Sequence, residues 1–102
     1  LAARQAVESL RLLGRADTDL SGQVNVMDDF VGPGYARPTD AMREALGLAA
    51  RFEGLVLDPV YTGKAFAGFL SLARSGRFDK KQSLLFVHTG GTPGLFGYPE
   101  AI

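Results

Sequence analysis

The chain contains no cysteine and no tryptophan, and it has a single histidine, His88. Without cysteine there is no thiolate metal site, no disulfide and no cysteine nucleophile. One histidine excludes a multi-histidine metal centre as well. Charge of one sign is also missing. Eleven basic residues offset eleven acidic ones, so no overall field draws the chain to nucleic acid or to an anionic membrane. Long apolar runs are absent: stretches such as Leu84-Leu85-Phe86-Val87 fall far short of the roughly 20 residues of a membrane span. The N-terminal ten residues carry an amphipathic pattern and none of the features of a secretory signal. These absences predict a cytoplasmic chain with no metal, no nucleic-acid partner and no membrane partner. The first residue is not methionine, which adds the expectation that sequence is missing upstream.

What is present is ordinary for a soluble domain: 102 residues, 46% hydrophobic and 22% charged, enough for one core. Ala3, Ala6, Val7, Leu10 and Leu13 recur at helical spacing and predict a helix over 2–13, with Gly14 as its terminating glycine. After a polar stretch from Arg15 to Gly22, Val24 and Val26 flank Asn25 as a short strand. Residues 28–35 read as a loop punctuated by glycine and proline. Thr39 is a helix N-cap, and Met42, Ala45, Leu46, Ala49 and Ala50 mark one face of the helix it starts. Leu55-Val56-Leu57 is a second strand, stopped by Asp58-Pro59. A third helix runs from about Thr62 to Ala73, with Ala65, Phe66, Phe69, Leu70 and Ala73 as its buried stripe, and Ser75-Gly76 ends it. Ser83 to Val87 is a third strand, buried on both faces. The order α-β-α-β-α-β predicts an α/β fold: part of a parallel sheet, too small to stand alone, with helices on both faces.

In such sheets ligands sit beyond the carboxyl ends of the strands, and polar residues gather there. Asp28 and Asp29 read as solvated loop carboxylates rather than a metal pair. Tyr35 and Tyr61 each sit near a glycine turn ahead of a helix. They serve either as packing residues with one hydrogen bond, or as an acid or base if a cation lowers the phenol pKa. Thr62-Gly63-Lys64 does not complete a nucleotide-binding loop, because Pro59 and Val60 occupy the stretch where the glycines belong. Lys64 reads as a solvent-facing helix lysine, with a Schiff-base role as the alternative. Thr89-Gly90-Gly91-Thr92 offers amides and hydroxyls to a ligand, whether a phosphate or a pyridine nitrogen, or else is a tight turn. His88 reads as a buried, hydrogen-bonded structural residue.

Three segments in order resemble the family of D-cysteine desulfhydrases and 1-aminocyclopropane-1-carboxylate deaminases. They are Gly32-Pro33-Gly34-Tyr35 with Pro38-Thr39, then Asp58-Pro59-Val60-Tyr61-Thr62-Gly63-Lys64-Ala65, then Val87-His88-Thr89-Gly90-Gly91-Thr92-Pro93-Gly94-Leu95. The resemblance implies the C-terminal segment of the cofactor-binding domain of a fold type II pyridoxal-phosphate enzyme, spanning residues 1–102. It also implies a cytoplasmic homodimer acting on a small amino acid. The deaminase branch carries glutamate where this chain has Thr62, an aliphatic residue at Thr89, and alanine-leucine at Gly94-Leu95. These departures favour the desulfhydrase branch, which eliminates sulfide from D-cysteine, with cysteate sulfo-lyases and the deaminase as alternatives.

By the same resemblance, Tyr35 and Tyr61 match two active-site tyrosines that face substrate. Thr89 matches the hydrogen-bond partner of the cofactor's pyridine nitrogen, Gly90 is a cofactor-binding residue next to it, and Thr62 is a cofactor-site candidate one layer behind the direct contacts. A neutral threonine opposite that nitrogen suits β-elimination, in which the leaving group departs promptly. The family's Schiff-base lysine and phosphate loop match nothing here, and Lys64 does not correspond to that lysine. These 102 residues alone are therefore expected neither to hold the cofactor tightly nor to turn over substrate. A non-catalytic binding or assembly module is the competing class, and a small flavodoxin-like nucleotide binder is weaker, because no glycine-rich loop follows the first strand.

Overall fold

A computed structural model describes residues 1–15, 18–20 and 22–102, so the polar stretch of 15–22 falls partly outside the described residues. Three helices form: α1 (Ala2–Leu12), α2 (Asp40–Leu48) and α3 (Thr62–Arg74). Helix α1 stops where the glycine was expected. Gly14 takes φ +75°, its amide donates to the Arg11 carbonyl at 2.9 Å, and the Arg15 amide donates to the Leu10 carbonyl at 2.8 Å. That paired closure needs a left-handed residue, which glycine adopts without a Cβ penalty. None of the residues of α1 is buried.

Helix α2 begins as its sequence predicts. The Thr39 hydroxyl accepts from the Met42 amide at 3.1 Å, satisfying one of the unpaired donors of the first turn. Beyond Leu48 the helix widens into a π turn, Ala49–Glu53, and ends at Gly54. Met42, Ala45 and Ala49 are buried, whereas Ala50, expected on the same face, is exposed. Helices α2 and α3 pack against each other, and the core between them holds Ala45, Ala49, Leu57, Phe66 and Ala67, with Leu46, Phe69, Leu70 and Phe86 packed around it.

The expected parallel sheet is not there. Among the described residues no strand forms in 24–26, 55–57 or 83–87, so the α/β architecture is replaced by helices joined by irregular chain. The physical reason is that β-branching and apolar runs favour a strand only when a neighbour supplies the hydrogen-bond ladder. At Val56 the carbonyl is taken by side chains instead: His88 Nε2 at 3.2 Å and Thr92 Oγ1 at 2.8 Å. Nor is 83–87 covered on both faces, for Leu85 and Val87 are 86% and 67% exposed. Phe86 ties that segment to the core. Phe86 lies edge-on to Phe66, with centroids 5.0 Å apart, and tilted against Phe69 at 5.8 Å.

The stripe expected on α3 is also corrected. Ala65 and Ala73 are exposed, while Gly63, Lys64, Ala67 and Gly68 are buried. At 100° per residue, Gly63, Phe66, Ala67 and Leu70 form the face toward the core. Tyr61, Lys64, Ala65, Gly68 and Leu72 form the opposite one, and all five line a cavity. The expected stripe mixed the two faces.

Candidate functional site

Asp58 organises the start of α3. It is 2% exposed, and its carboxylate accepts four hydrogen bonds. The amides of Val60 and Tyr61 donate to Oδ2 at 2.8 Å each, and the amide and hydroxyl of Thr62 donate to Oδ1 at 2.8 and 2.6 Å. Pro59, next in the chain, has no amide proton to compete. The Thr62 hydroxyl in turn accepts from the Asp58 amide at 2.9 Å, so its one donor and an acceptor position both face inward. Burial pushes the Asp58 carboxyl upward in pKa. The hydrogen bonds from Thr62, Tyr61 and Val60 outweigh it and hold the group below the ordinary aspartate value of 3.8. Gly91, at φ +90°, leaves the room: a Cβ there would stand 2.7 Å from Asp58 Oδ1.

This turn brings Tyr61 to Tyr35. The Tyr61 hydroxyl donates to the Tyr35 hydroxyl at 3.0 Å, and the rings meet edge to face with centroids 5.9 Å apart. Both rings are largely exposed at the rim of a cavity of about 560 Å³. Its remaining wall is mostly apolar: Met27, Phe30, Val31, Val60, Ala65 and Leu72. The Tyr61 pKa rises above the ordinary phenol value of 10.0. The hydrogen bond it gives Tyr35 is the main cause. Desolvation and unfavourable interaction with Tyr35, Tyr98 and Asp58 add to it. No lowering by a cation occurs at Tyr61, so this phenol stays protonated near neutral pH and works as a donor.

Lys64 is not solvent-facing. It is 7% exposed, and its ammonium donates to the carbonyls of Val31 at 2.6 Å and Gly34 at 3.0 Å. No acidic group among the described residues forms an ion pair with it. Thr89 and Gly90 are exposed and lie outside the tyrosine cavity. The Gly90 amide donates to His88 Nδ1 at 3.0 Å, which leaves His88 Nε2 as the protonated nitrogen toward the Val56 carbonyl. His88 is hydrogen-bonded as expected, but half-buried rather than buried. The structure thus gathers Tyr35, Tyr61 and Thr62 around the start of α3. The turn of Thr89 and Gly90 approaches that group through Gly91, which lies close against Asp58.

Sequence reasoning missed two residues. Asp58, which stops the expected strand at 55–57, stands four residues ahead of the first helical residue, and an acidic residue close before a helix is a capping signal. Lys64 sits in the first turn of α3, where the helix dipole disfavours a cation. A lysine there needs partners from elsewhere in the fold, and that was the available signal.

The family model for pyridoxal-phosphate dependent enzymes matches residues 3–90. The chain belongs to that family, whose cofactor is pyridoxal phosphate. The residues fit the group on one side only. Two phenol hydroxyls beside an apolar wall offer hydrogen bonds to a small polar group. They do not fit as a covalent anchor: the Lys64 amine is buried against two carbonyls, and Lys80 and Lys81 are exposed beyond the far end of α3.

Proposed function

We propose that this chain is the substrate-facing C-terminal segment, within the cofactor-binding domain, of a pyridoxal-phosphate dependent carbon–sulfur lyase. The preferred reaction is that of a D-cysteine desulfhydrase: D-cysteine and water give pyruvate, hydrogen sulfide and ammonia. The observation that carries this reading is the Tyr61–Tyr35 hydroxyl pair at 3.0 Å on the rim of the cavity. Each phenol can donate to the other, and whichever accepts keeps its own proton free to face a substrate carboxylate or a departing sulfur. The cofactor, where bound, supplies the electron-withdrawing ring that makes loss of the α-proton feasible. The residues of this chain orient the substrate, hold a proton at the phenol pair and close one side of the cavity with apolar groups. Thr89 and Gly90 are proposed to lie beside the cofactor ring, and Thr62 to act from behind, by fixing Asp58.

The test is turnover by the full-length protein that carries this chain, offered D-cysteine, 1-aminocyclopropane-1-carboxylate and cysteate in parallel. Sulfide and pyruvate from D-cysteine support the reading. Ring opening of the cyclopropane substrate, or sulfite from cysteate, transfers the site to one of those reactions. If the purified protein turns over none of them and shows no cofactor absorbance, the assembly-module reading takes its place.

A further inference from the structure

Tyr61 and Lys64 are three residues apart and share the cavity face of α3, yet they act on different parts of the chain. Tyr61 offers its hydroxyl to Tyr35. Lys64 reaches across to the backbone that carries Tyr35, taking the carbonyl of Gly34, its immediate neighbour, and that of Val31, four residues before it. The segment between those carbonyls is Gly32-Pro33-Gly34, with φ +72° at Gly32 and +156° at Gly34. It runs outside any helix, and the hydrogen bonds holding it to α3 are those of Lys64 and, at the rim, of Tyr35 itself. A buried ammonium is costly unless hydrogen-bonded, and these two carbonyls are the partners that satisfy it. Phe30 is packed on the same face of the helix one turn further on, its ring so close to Gly68 that a Cβ there would stand 2.9 Å from it.

We propose that Lys64 is a positioning residue of the site: by clasping the Val31 and Gly34 carbonyls it sets Tyr35 at hydrogen-bond distance from Tyr61. Both tyrosines are then placed from the first turn of one helix, Tyr61 by covalent continuity and Tyr35 through the lysine. The clasp is a property of the chain itself. Its consequence for turnover rests on the reading that the tyrosine pair faces substrate.

The experiment uses the full-length protein with ¹³C-labelled tyrosine rings, assigned from Tyr35→Phe, Tyr61→Phe and Tyr98→Phe. In Lys64→Met the Tyr61 ring signals are expected to move in the same direction as they do in Tyr35→Phe, and Lys64→Arg, which restores the donors, is expected to return them toward wild type. Tyrosine signals unmoved in Lys64→Met, with helix content intact by circular dichroism, would overturn the proposal. Should Lys64→Met fail to fold, Lys64→Gln, which keeps an amide donor but is shorter and uncharged, is read in the same way. With D-cysteine as the probe, kcat of Lys64→Met is expected to fall by about 10- to 100-fold, as for a reacting group misplaced by about 1 Å. KM is expected to stay within about threefold, the signature of lost positioning rather than lost binding. The same substitution made in Tyr35→Phe should add little, because the lysine acts through that tyrosine. If Tyr35→Phe and Tyr61→Phe leave turnover unchanged, the substrate-facing reading fails, and the ring spectra alone decide whether Lys64 sets the pair.

Discussion

Replacing Asp58 by alanine removes the acceptor of three backbone amides and one hydroxyl in a single step. Each of those hydrogen bonds measures 2.6–2.8 Å. Losing a capping carboxylate costs about 0.5–2 kcal/mol, and each buried donor left unsatisfied costs about 1–3 kcal/mol. Val60 is half-buried and Tyr61 exposed, so water can take over their amides in the variant, but Thr62 is buried. Weighting the exposed donors lightly and Thr62 fully gives a loss of about 3–4 kcal/mol, or a fall in Tm of about 12–30 °C for a chain of this size. Urea unfolding followed by far-UV circular dichroism reads the first number, and calorimetry the second. Asp58→Asn keeps one acceptor oxygen and turns an NH₂ group toward the other donors, so it should fall between wild type and alanine. A loss below about 1 kcal/mol for Asp58→Ala would show that solvent already carries these donors, and the claim that Asp58 holds the Tyr61 turn would be wrong.

Acid provides an independent check on the same residue. The folded pKa of Asp58 lies below the unfolded value near 3.8, so folding favours the ionised form. The stabilisation it brings is complete above about pH 4 to 5 and is lost as pH falls through the folded value. Between those limits the wild-type protein should lose stability faster than Asp58→Asn does.

Two further predictions concern the neighbours of that turn. Gly63→Ala would place a Cβ 2.7 Å from the Asp58 carbonyl oxygen and 3.1 Å from both Met42 and Leu46; it should cost about 1–3 kcal/mol by forcing α2 and α3 apart, and an unchanged unfolding midpoint would contradict that packing. Tyr35→Phe removes the acceptor of the Tyr61 proton, so Tyr61 should ionise at lower pH, closer to the ordinary phenol value of 10.0; an ultraviolet phenolate titration reads the shift, and no change would mean the hydrogen bond is not formed.

Local signals in the sequence were legible where one short segment decides the outcome. Thr39 and its helix, the glycine closure of α1 and the reach of α3 each depend on neighbours within a few residues. The strands failed for the opposite reason: Leu55-Val56-Leu57 and the run from Ser83 to Val87 have suitable residues, but a ladder is a relation between segments. The inner stripe of α3 failed because the helix is apolar on two faces, and Ala65 looks like a core alanine while it lines a cavity. The tyrosines were legible as candidates from the resemblance. Their partners were not: Lys64 finds its carbonyls 30 and 33 residues earlier, a distance no local pattern encodes.

That division explains how a tyrosine pair keeps its geometry without a sheet behind it. The core face of α3, through Phe66, Ala67 and Leu70, fixes the helix against α2. The other face receives its orientation from two polar anchors at the helix start: Asp58, which shapes the turn before Tyr61, and Lys64, which holds the loop before Tyr35. Hydrophobic burial is non-directional and would place the helix without specifying either hydroxyl. Hydrogen bonds to a buried carboxylate and from a buried ammonium are directional and strong, so they fix angles that packing leaves open. A core substitution such as Leu57→Ala therefore lowers stability without a specific effect on the tyrosine pair, whereas changes at Asp58 or Lys64 separate the two phenols.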